Sequence, residues 1–368
     1  MTSKTDPYHD IRPYNDDEIP LAINRLINDE EFINAILQHR FSHQADWVKT
    51  VASPFLRIYL KVKWSKYHSV EDIQAEVKKY LSDALSETTQ GVTFSGLEQL
   101  NPDEAYLFIS NHRDIALDPA LVNYALHQAN HRTVRIAIGD NLLKKACTTE
   151  LMRLNKSFIV KRSAKGPREM MKVLGQLSSY IKHSLETKNS IWIAQKEGRA
   201  KDGNDFTDPA ILKMFHVEGR KQKIAFNDYM KSLKIVPVAI SYENDPCDIA
   251  KALELYEKAT NDGKYQKGEF EDIESIIQGL TGEKGRIHVT FGDVLTGDYS
   301  TPEALAEEID RQVHKNYQLF PINLLAAELD DESITATTKQ TLQNKLDDLP
   351  QGAHSFLIDA YANPVKNH

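Results

Sequence analysis

The chain has 368 residues, 41% of them hydrophobic and 27% charged, with a formal net charge of -8. That length can bury a sizeable core, enough for one large α/β domain with helical additions or for two domains. The acidic balance argues against a sequence-blind nucleic-acid binder, which needs a basic surface to displace counterions from phosphates.

The two cysteines, Cys147 and Cys247, lie far apart and outside any CxxC pattern. Neither a disulfide framework nor a cysteine metal site is indicated, and a reducing cytoplasm is the expected compartment. The opening stretch, MTSKTDPYHDIRPYNDDE, is polar and acidic and does not have the form of a secretory signal. No run of about 18 apolar residues occurs, so a membrane span is not expected, although the chain can still lie on a membrane.

Residues 17–40 repeat apolar positions at three- and four-residue intervals (Ile19, Ile23, Leu26, Ile27, Ile33, Ile36, Leu37), which predicts the buried face of one helix or of two short ones. The segment from Trp47 to His68 holds Lys49, Arg57, Lys61, Lys63 and Lys66 without a carboxylate. Val48, Val51, Ala52, Phe55, Tyr59 and Val62 fall at helical spacing along it, and Pro54 is expected to kink or restart the helix. Trp47, Phe55, Tyr59 and Trp64 beside those cations form an interfacial pattern, so residues 47–66 are expected to meet an anionic membrane surface; the alternative is a core-packing helix with a solvated basic face. A third helix, roughly Val70 to Leu85, starts from Ser69 as N-cap.

From Val92 the period changes. VTFSGL, YLFISN, TVRIAIGD, SFIVKR, SIWIAQ, LKIVPVAISYE and RIHVTFGD are short β-branched or aromatic runs, mostly separated by helical patterns such as Pro119 to Gln128 and Gly166 to Thr187. The expected fold class is α/β, a mostly parallel sheet covered by helices, with an N-terminal helical segment (1–90), an α/β domain (91–300) and a C-terminal helical extension (301–368). Crossover connections put functional loops at the carboxyl ends of the strands.

The stretch ISNHRDIALDPALVN, Ile109 to Asn123, sits at such a strand end. His112-Arg113-Asp114 spells the opening of a kinase catalytic loop, but that loop needs a metal-binding asparagine where Pro119 stands, and neither a glycine-rich phosphate loop nor a DFG accompanies it. His127 and His131 have the i, i+4 spacing of a helical zinc pair, yet Gln128 stands where the general-base glutamate would be and no third ligand is evident, so no metal is expected.

A third pattern spans several strand ends. Asn111-His112 followed by Asp118, then FIVKR (Phe158 to Arg162), then Glu197-Gly198-Arg199, then Val236-Pro237-Val238, occur in an order and spacing that resemble the four blocks of the glycerolipid acyltransferase family, over about Val92 to Phe291. In two respects this sequence departs from the family pattern. Five residues rather than four separate His112 from Asp118, and Glu197-Gly198 runs straight into Arg199-Ala200-Lys201 without the usual threonine.

The resemblance implies transfer of a fatty acyl chain from acyl-CoA or acyl carrier protein to glycerol 3-phosphate or its 1-acyl derivative, a lysophospholipid, in phospholipid biosynthesis. The thioester is a co-substrate, and no other cofactor is implied. Histidine, with a free pKa of about 6.5, suits the general-base role, and an aspartate on its other ring nitrogen fixes the tautomer and stabilises the imidazolium. His112 is therefore the expected base and Asp118 its orienter. Residues six apart on a regular helix lie about 120° apart in projection, so the pair can meet only if His112 precedes the helix and Asp118 lies in its first turn. Asp114 is the rival orienter; for both aspartates the plainer reading is a helix N-cap, with Pro119 suited to the first helical position.

Lys161, Arg162 and Arg199 are the expected phosphate contacts, with Gly198 allowing close backbone approach and Glu197 holding either a substrate hydroxyl or an arginine. The expected location is cytoplasmic, peripheral at the inner face of the membrane. A non-catalytic lipid- or acyl-carrier-binding protein of the same fold is the alternative, supported mainly by the altered His–Asp spacing.

Overall fold

The computed structural model describes residues 6–40, 46–268 and 270–368; the side chains at 39–40 and 46–49, including those of Trp47, Val48 and Lys49, lie outside that description. In chain order, α1 (Ile19–Asn28), α2 (Glu30–Arg40), α3 (Asp46–Trp64) and α4 (Val70–Thr88) precede β1 (Gly91–Ser95). There follow β2 (Leu107–Ser110), α5 (Leu117–Gln128), β3 (Arg135–Gly139), α6 (Ala146–Leu154), β4 (Ser157–Val160), α7 (Pro167–Glu186) and β5 (Ile191–Ala194). The chain continues through α8 (Pro209–Lys221), α9 (Phe226–Ser232), β6 (Ile235–Tyr242), α10 (Asp248–Thr260), α11 (Glu271–Thr281) and β7 (Arg286–Phe291). It closes with α12 (Pro302–Asn316), α13 (Pro321–Ala326), α14 (Ala336–Asp347) and α15 (His354–Asn367). Each of the seven apolar runs forms a strand, and the fold is α/β with helical segments at both ends.

The chain divides into two compact units. The first comprises residues 1–80 and 135–176 and contains β3 paired parallel to β4. Its core joins Ile19, Ile23, Leu26, Ile27, Ile33 and Leu37 to Leu60 and Leu154. The 17–40 pattern forms two helices because Asp29 is extended (φ -76°, ψ 123°) and its Oδ1 accepts the Phe32 amide, which starts α2. Ser69 caps α4 as expected, its Oγ accepting the Asp72 amide.

Helix α3 runs through Pro54 as one helix, so the proline does not restart it. Proline removes one ladder bond, and the packing of Ala52, Leu56 and Trp64 on the core holds the helix on both sides of that gap. Its other side, Val51, Phe55, Ile58, Tyr59 and Val62, is exposed, with Phe55 at 68% and Val62 at 71%. Trp64, expected on the interfacial side, instead packs inward against Phe32. Arg57 and Lys63 meet carboxylates supplied by neighbouring helices, Glu30 at 2.8 Å and Glu76 at 3.3 Å, whereas Lys61 and Lys66 are exposed. Among the described residues no helix is long and apolar enough to cross a membrane.

The second unit, residues 81–134 and 177–368, holds the strand order β1-β7-β6-β2-β5. Its pairings are parallel except β6 with β7, which is antiparallel. Every residue of β2 and β6 is buried, as expected for strands covered on both faces. Phe108 meets Phe291 edge-on at 5.5 Å across this core. A satellite core of Phe320, Ile322, Leu357 and Tyr361 joins α13, α14 and α15 to Ala252 of α10.

Candidate active site

Strand β2 ends at Ser110, and the next six residues form the turn into α5. Asn111 is fully buried and continues the ladder with its side chain: its Nδ2 donates to the Ile240 carbonyl at 3.0 Å and its Oδ1 accepts the Ile240 amide at 2.8 Å. The chain is thus anchored to the central strand one residue before His112. Trp192 of β5 flanks the imidazole edge-on at 5.8 Å, and its Nε1 donates to Ser110 Oγ at 3.0 Å.

Asp118 lies in the first turn of α5, the one place where the five-residue separation lets it reach back to His112. Its fully buried carboxylate collects four donors. Oδ2 accepts His112 Nδ1 at 2.8 Å, the Arg113 amide at 2.6 Å and the Asp114 amide at 2.9 Å; Oδ1 accepts the Tyr242 hydroxyl at 2.7 Å. Burial and the adjacent carboxylate push the Tyr242 pKa well up, so the phenol keeps its proton as a donor. The His112 side chain is 14% exposed, at the edge of solvent, while its partner is not.

The N-cap of α5 is Ala116 rather than either aspartate, and Pro119 is the third helical residue rather than the first. Asp114 instead holds the turn: Oδ1 accepts the Ala116 and Leu117 amides at 2.9 and 2.7 Å, and the carboxyl packs against Gly279 of α11. Its Oδ2 is buried without a hydrogen-bond partner, and burial together with the Asp118 charge raises its pKa above the ordinary carboxylate value. The carboxylate bonded to the imidazole is therefore that of Asp118.

Arg113 turns into the protein. Its Nη2 donates to Asp205 at 2.6 Å and to the Gly203 carbonyl at 3.3 Å, and the guanidinium lies over the Tyr317 ring. Burial opposes its charge, but Asp205 more than offsets that, and the pKa is raised. Arg113 thus ties the His112 turn to the loop after β5. A second tie is the Ala200 amide donating to the His112 carbonyl at 2.8 Å.

That loop carries the Glu197-Gly198-Arg199 block beside the His112 turn. Gly198 is exposed with φ +79°, and nothing lies where a side chain would project. Glu197 is exposed, and Arg199 is half-buried, its Nη2 3.3 Å from Ser275 Oγ and its Nη1 buried without a hydrogen-bond partner. Pro237 of the fourth block lies on β6 opposite Ile109 of β2.

Lys161 and Arg162 belong to the first unit. Lys161 is ion-paired with Asp10, and the Arg162 guanidinium lies near Gly139, while its backbone amide donates to Asp140 at 3.1 Å. Helix α5 ends at Gln128, and Asn130 is left-handed (φ 59°), so His127 and His131 do not share one helix face. Among the described residues neither joins a group of three metal-ligating side chains.

Tyr242, Asp205 and Lys251, whose ammonium donates to the Arg113 carbonyl at 2.7 Å, were not among the expected residues. Tyr242 carries one signal, since it closes the block-four strand, but nothing in its neighbourhood along the chain names its partner.

No curated protein matches the sequence. The chain is similar to the crystal structure of the 1-acyl-sn-glycerophosphate (LPA) acyltransferase PlsC from Thermotoga maritima, at 13% identity and a TM-score of 0.37, covering 80% of this chain and 93% of that one. Residues 91–241 match the family model described as Acyltransferase. That segment, which includes the His112–Asp118 pair and the Glu197-Gly198-Arg199 loop, is a domain of the acyltransferase family.

Proposed function

We propose that the protein is an O-acyltransferase that moves a fatty acyl chain from acyl-CoA or acyl carrier protein to glycerol 3-phosphate or 1-acyl-glycerol 3-phosphate at a membrane surface. The observation that carries this reading is the His112 Nδ1–Asp118 bond of 2.8 Å inside the segment that matches the family. Asp118 fixes the proton on Nδ1, which leaves Nε2 as the base. Nε2 takes the acceptor's hydroxyl proton as its oxygen attacks the thioester carbonyl. The C–S bond then breaks, and the imidazolium returns the proton to the departing thiolate. Asp118 stabilises the imidazolium between these steps, and no serine nucleophile is needed.

Arg199, with a buried and unpartnered Nη1, supplies an unmet donor for a phosphate. Arg162 and Lys161 enter as further phosphate contacts from their order in the sequence, and Glu197 and Gly198 line the approach. The exposed stripe of α3 is the membrane-facing side, flanked by Lys61 and Lys66. The altered His–Asp spacing, the main support for a non-catalytic binding protein, is taken up by the turn into α5.

The test is thiol release from one acyl thioester by the purified protein, with a panel of glycerol-phosphate, acylated glycerol-phosphate and amino-acid acceptors. Release should depend on a glycerol-phosphate acceptor, and His112→Ala should lower it by a factor on the order of 10² to 10⁴. Acceptor-independent binding without release, or more than a few per cent of activity in His112→Ala, would overturn the reading.

A further inference from the structure

The family match ends at residue 241, yet the two loops that carry His112 and Arg199 are held by residues that come after it. The His112 turn rests on Lys251 of α10. This side chain is 4% exposed, its ammonium donates to the Arg113 carbonyl at 2.7 Å, and it is ion-paired with Asp245. Asp245 is held in turn by α15, because its backbone amide donates to the Tyr361 hydroxyl at 3.0 Å. That hydroxyl donates to Asp248 at 2.6 Å, and Lys345 of α14 pairs with the same carboxylate oxygen at 2.7 Å.

The Arg199 loop is gripped by the same helix. Asn363 Nδ2 donates to the Asp202 carbonyl at 2.7 Å, and Asn367 Nδ2 donates to Asn204 Oδ1 at 3.1 Å. Gly203, at φ +78°, lies so close that any Cβ there would collide with the Ala360 carbonyl oxygen. Arg113 closes the circuit by donating to the Gly203 carbonyl. One helix, through one continuous set of hydrogen bonds, fixes both catalytic loops.

We infer that α15 and Lys251 are positioning elements of the active site: Tyr361, through Asp245 and Lys251, sets the His112 turn, and Asn363, Gly203 and Asn367 set the Arg199 loop against it. None of these residues touches the reacting atoms. Their effect is on the placement of the imidazole relative to the phosphate-binding arginine, where an error of about 1 Å can cost about 10²-fold in rate. This inference rests on the proposed acyl transfer for its catalytic readout, but not for its structural one.

Tyr361→Phe removes a single hydroxyl, Lys251→Met removes the ammonium at similar length, and Lys366→Met alters an exposed ion pair on the same helix as a control. Steady-state thiol release and hydrogen exchange would be measured on the full chain together with thermal unfolding. Tyr361→Phe and Lys251→Met should lower kcat about tenfold or more with KM changed by less than about threefold. Amides of residues 107–118 and 196–206 should exchange about tenfold faster, with β6 unchanged. Lys366→Met should match the wild type. If Lys251→Met does not fold, Tyr361→Phe decides alone.

Wild-type kcat in the folded variants, or unchanged exchange in both loops, would overturn the inference. So would a rate loss that came wholly from KM. A wild-type protein that transfers no acyl group would refute the proposed activity, and the exchange rates would then decide whether the brace holds those loops.

Discussion

Replacing Asp118 by asparagine tests the proposed catalytic pair with little disturbance of the fold. The carboxylate holds three donors on Oδ2 and the Tyr242 hydroxyl on Oδ1. An asparagine with its oxygen toward the three N–H groups keeps those bonds, and its amide faces a hydroxyl that can rotate to accept. What disappears is the negative charge opposite the imidazolium. At a separation of about 4 Å and an effective dielectric of about 20, that attraction is worth about 4 kcal/mol. With about 1.4 kcal/mol per factor of ten, kcat should fall on the order of 10³-fold. The assay is thiol release under saturating acceptor across pH 5 to 9, with thermal unfolding as a check that the protein is folded. Asp118→Asn retaining more than about a tenth of wild-type kcat would refute the reasoning, because a charge worth that little is not stabilising an imidazolium in a buried site.

Asp114→Asn separates the aspartate that holds the turn from the one bonded to the imidazole. Asparagine keeps the Oδ1 acceptor for the Ala116 and Leu117 amides, so turnover should stay within about threefold of wild type. The Asp114 pKa is raised from its ordinary 3.8, so the folded state binds this proton more tightly than the unfolded state does. Wild-type stability therefore falls as pH rises from about 3.8 through the raised value, and is flat in this group above it. The melting temperature of Asp114→Asn relative to wild type should rise across that window; a difference that is constant or grows toward acid contradicts the assignment. On α3, Phe55→Glu should weaken co-sedimentation with anionic phospholipid vesicles about tenfold or more, since a buried aromatic side chain is worth about 1.5–3 kcal/mol. Its melting temperature should barely move, because Phe55 is 68% exposed, and unchanged vesicle binding would remove α3 from the membrane-facing role.

The seven strands were readable in the sequence because β-branched and aromatic runs report a local condition: IVPVAISY is a strand buried on both faces, and RIHVTF alternates between buried and partly exposed positions. Ser69 was readable as a cap, and the turn into α5 followed from the simple geometric point that His112 and Asp118 cannot meet on one regular helix. The pattern on α3 was legible only as apolar spacing. Which side of a helix faces solvent depends on what packs against the other side, and here Trp64 and Leu56 went to the core while Phe55 and Val62 did not.

The sequence by itself determined the strands and the order of the four blocks, since these are local in residue type and order. Tertiary structure decided which aspartate meets the imidazole, sent Arg113 inward to Asp205, and brought Tyr242 to Asp118 from 124 residues away in the chain. It also wrapped α15 against both loops. The physical reason is that a buried polar group must find its partner across the fold, and the chain leaves no periodic trace of a contact between one side chain and another so distant from it.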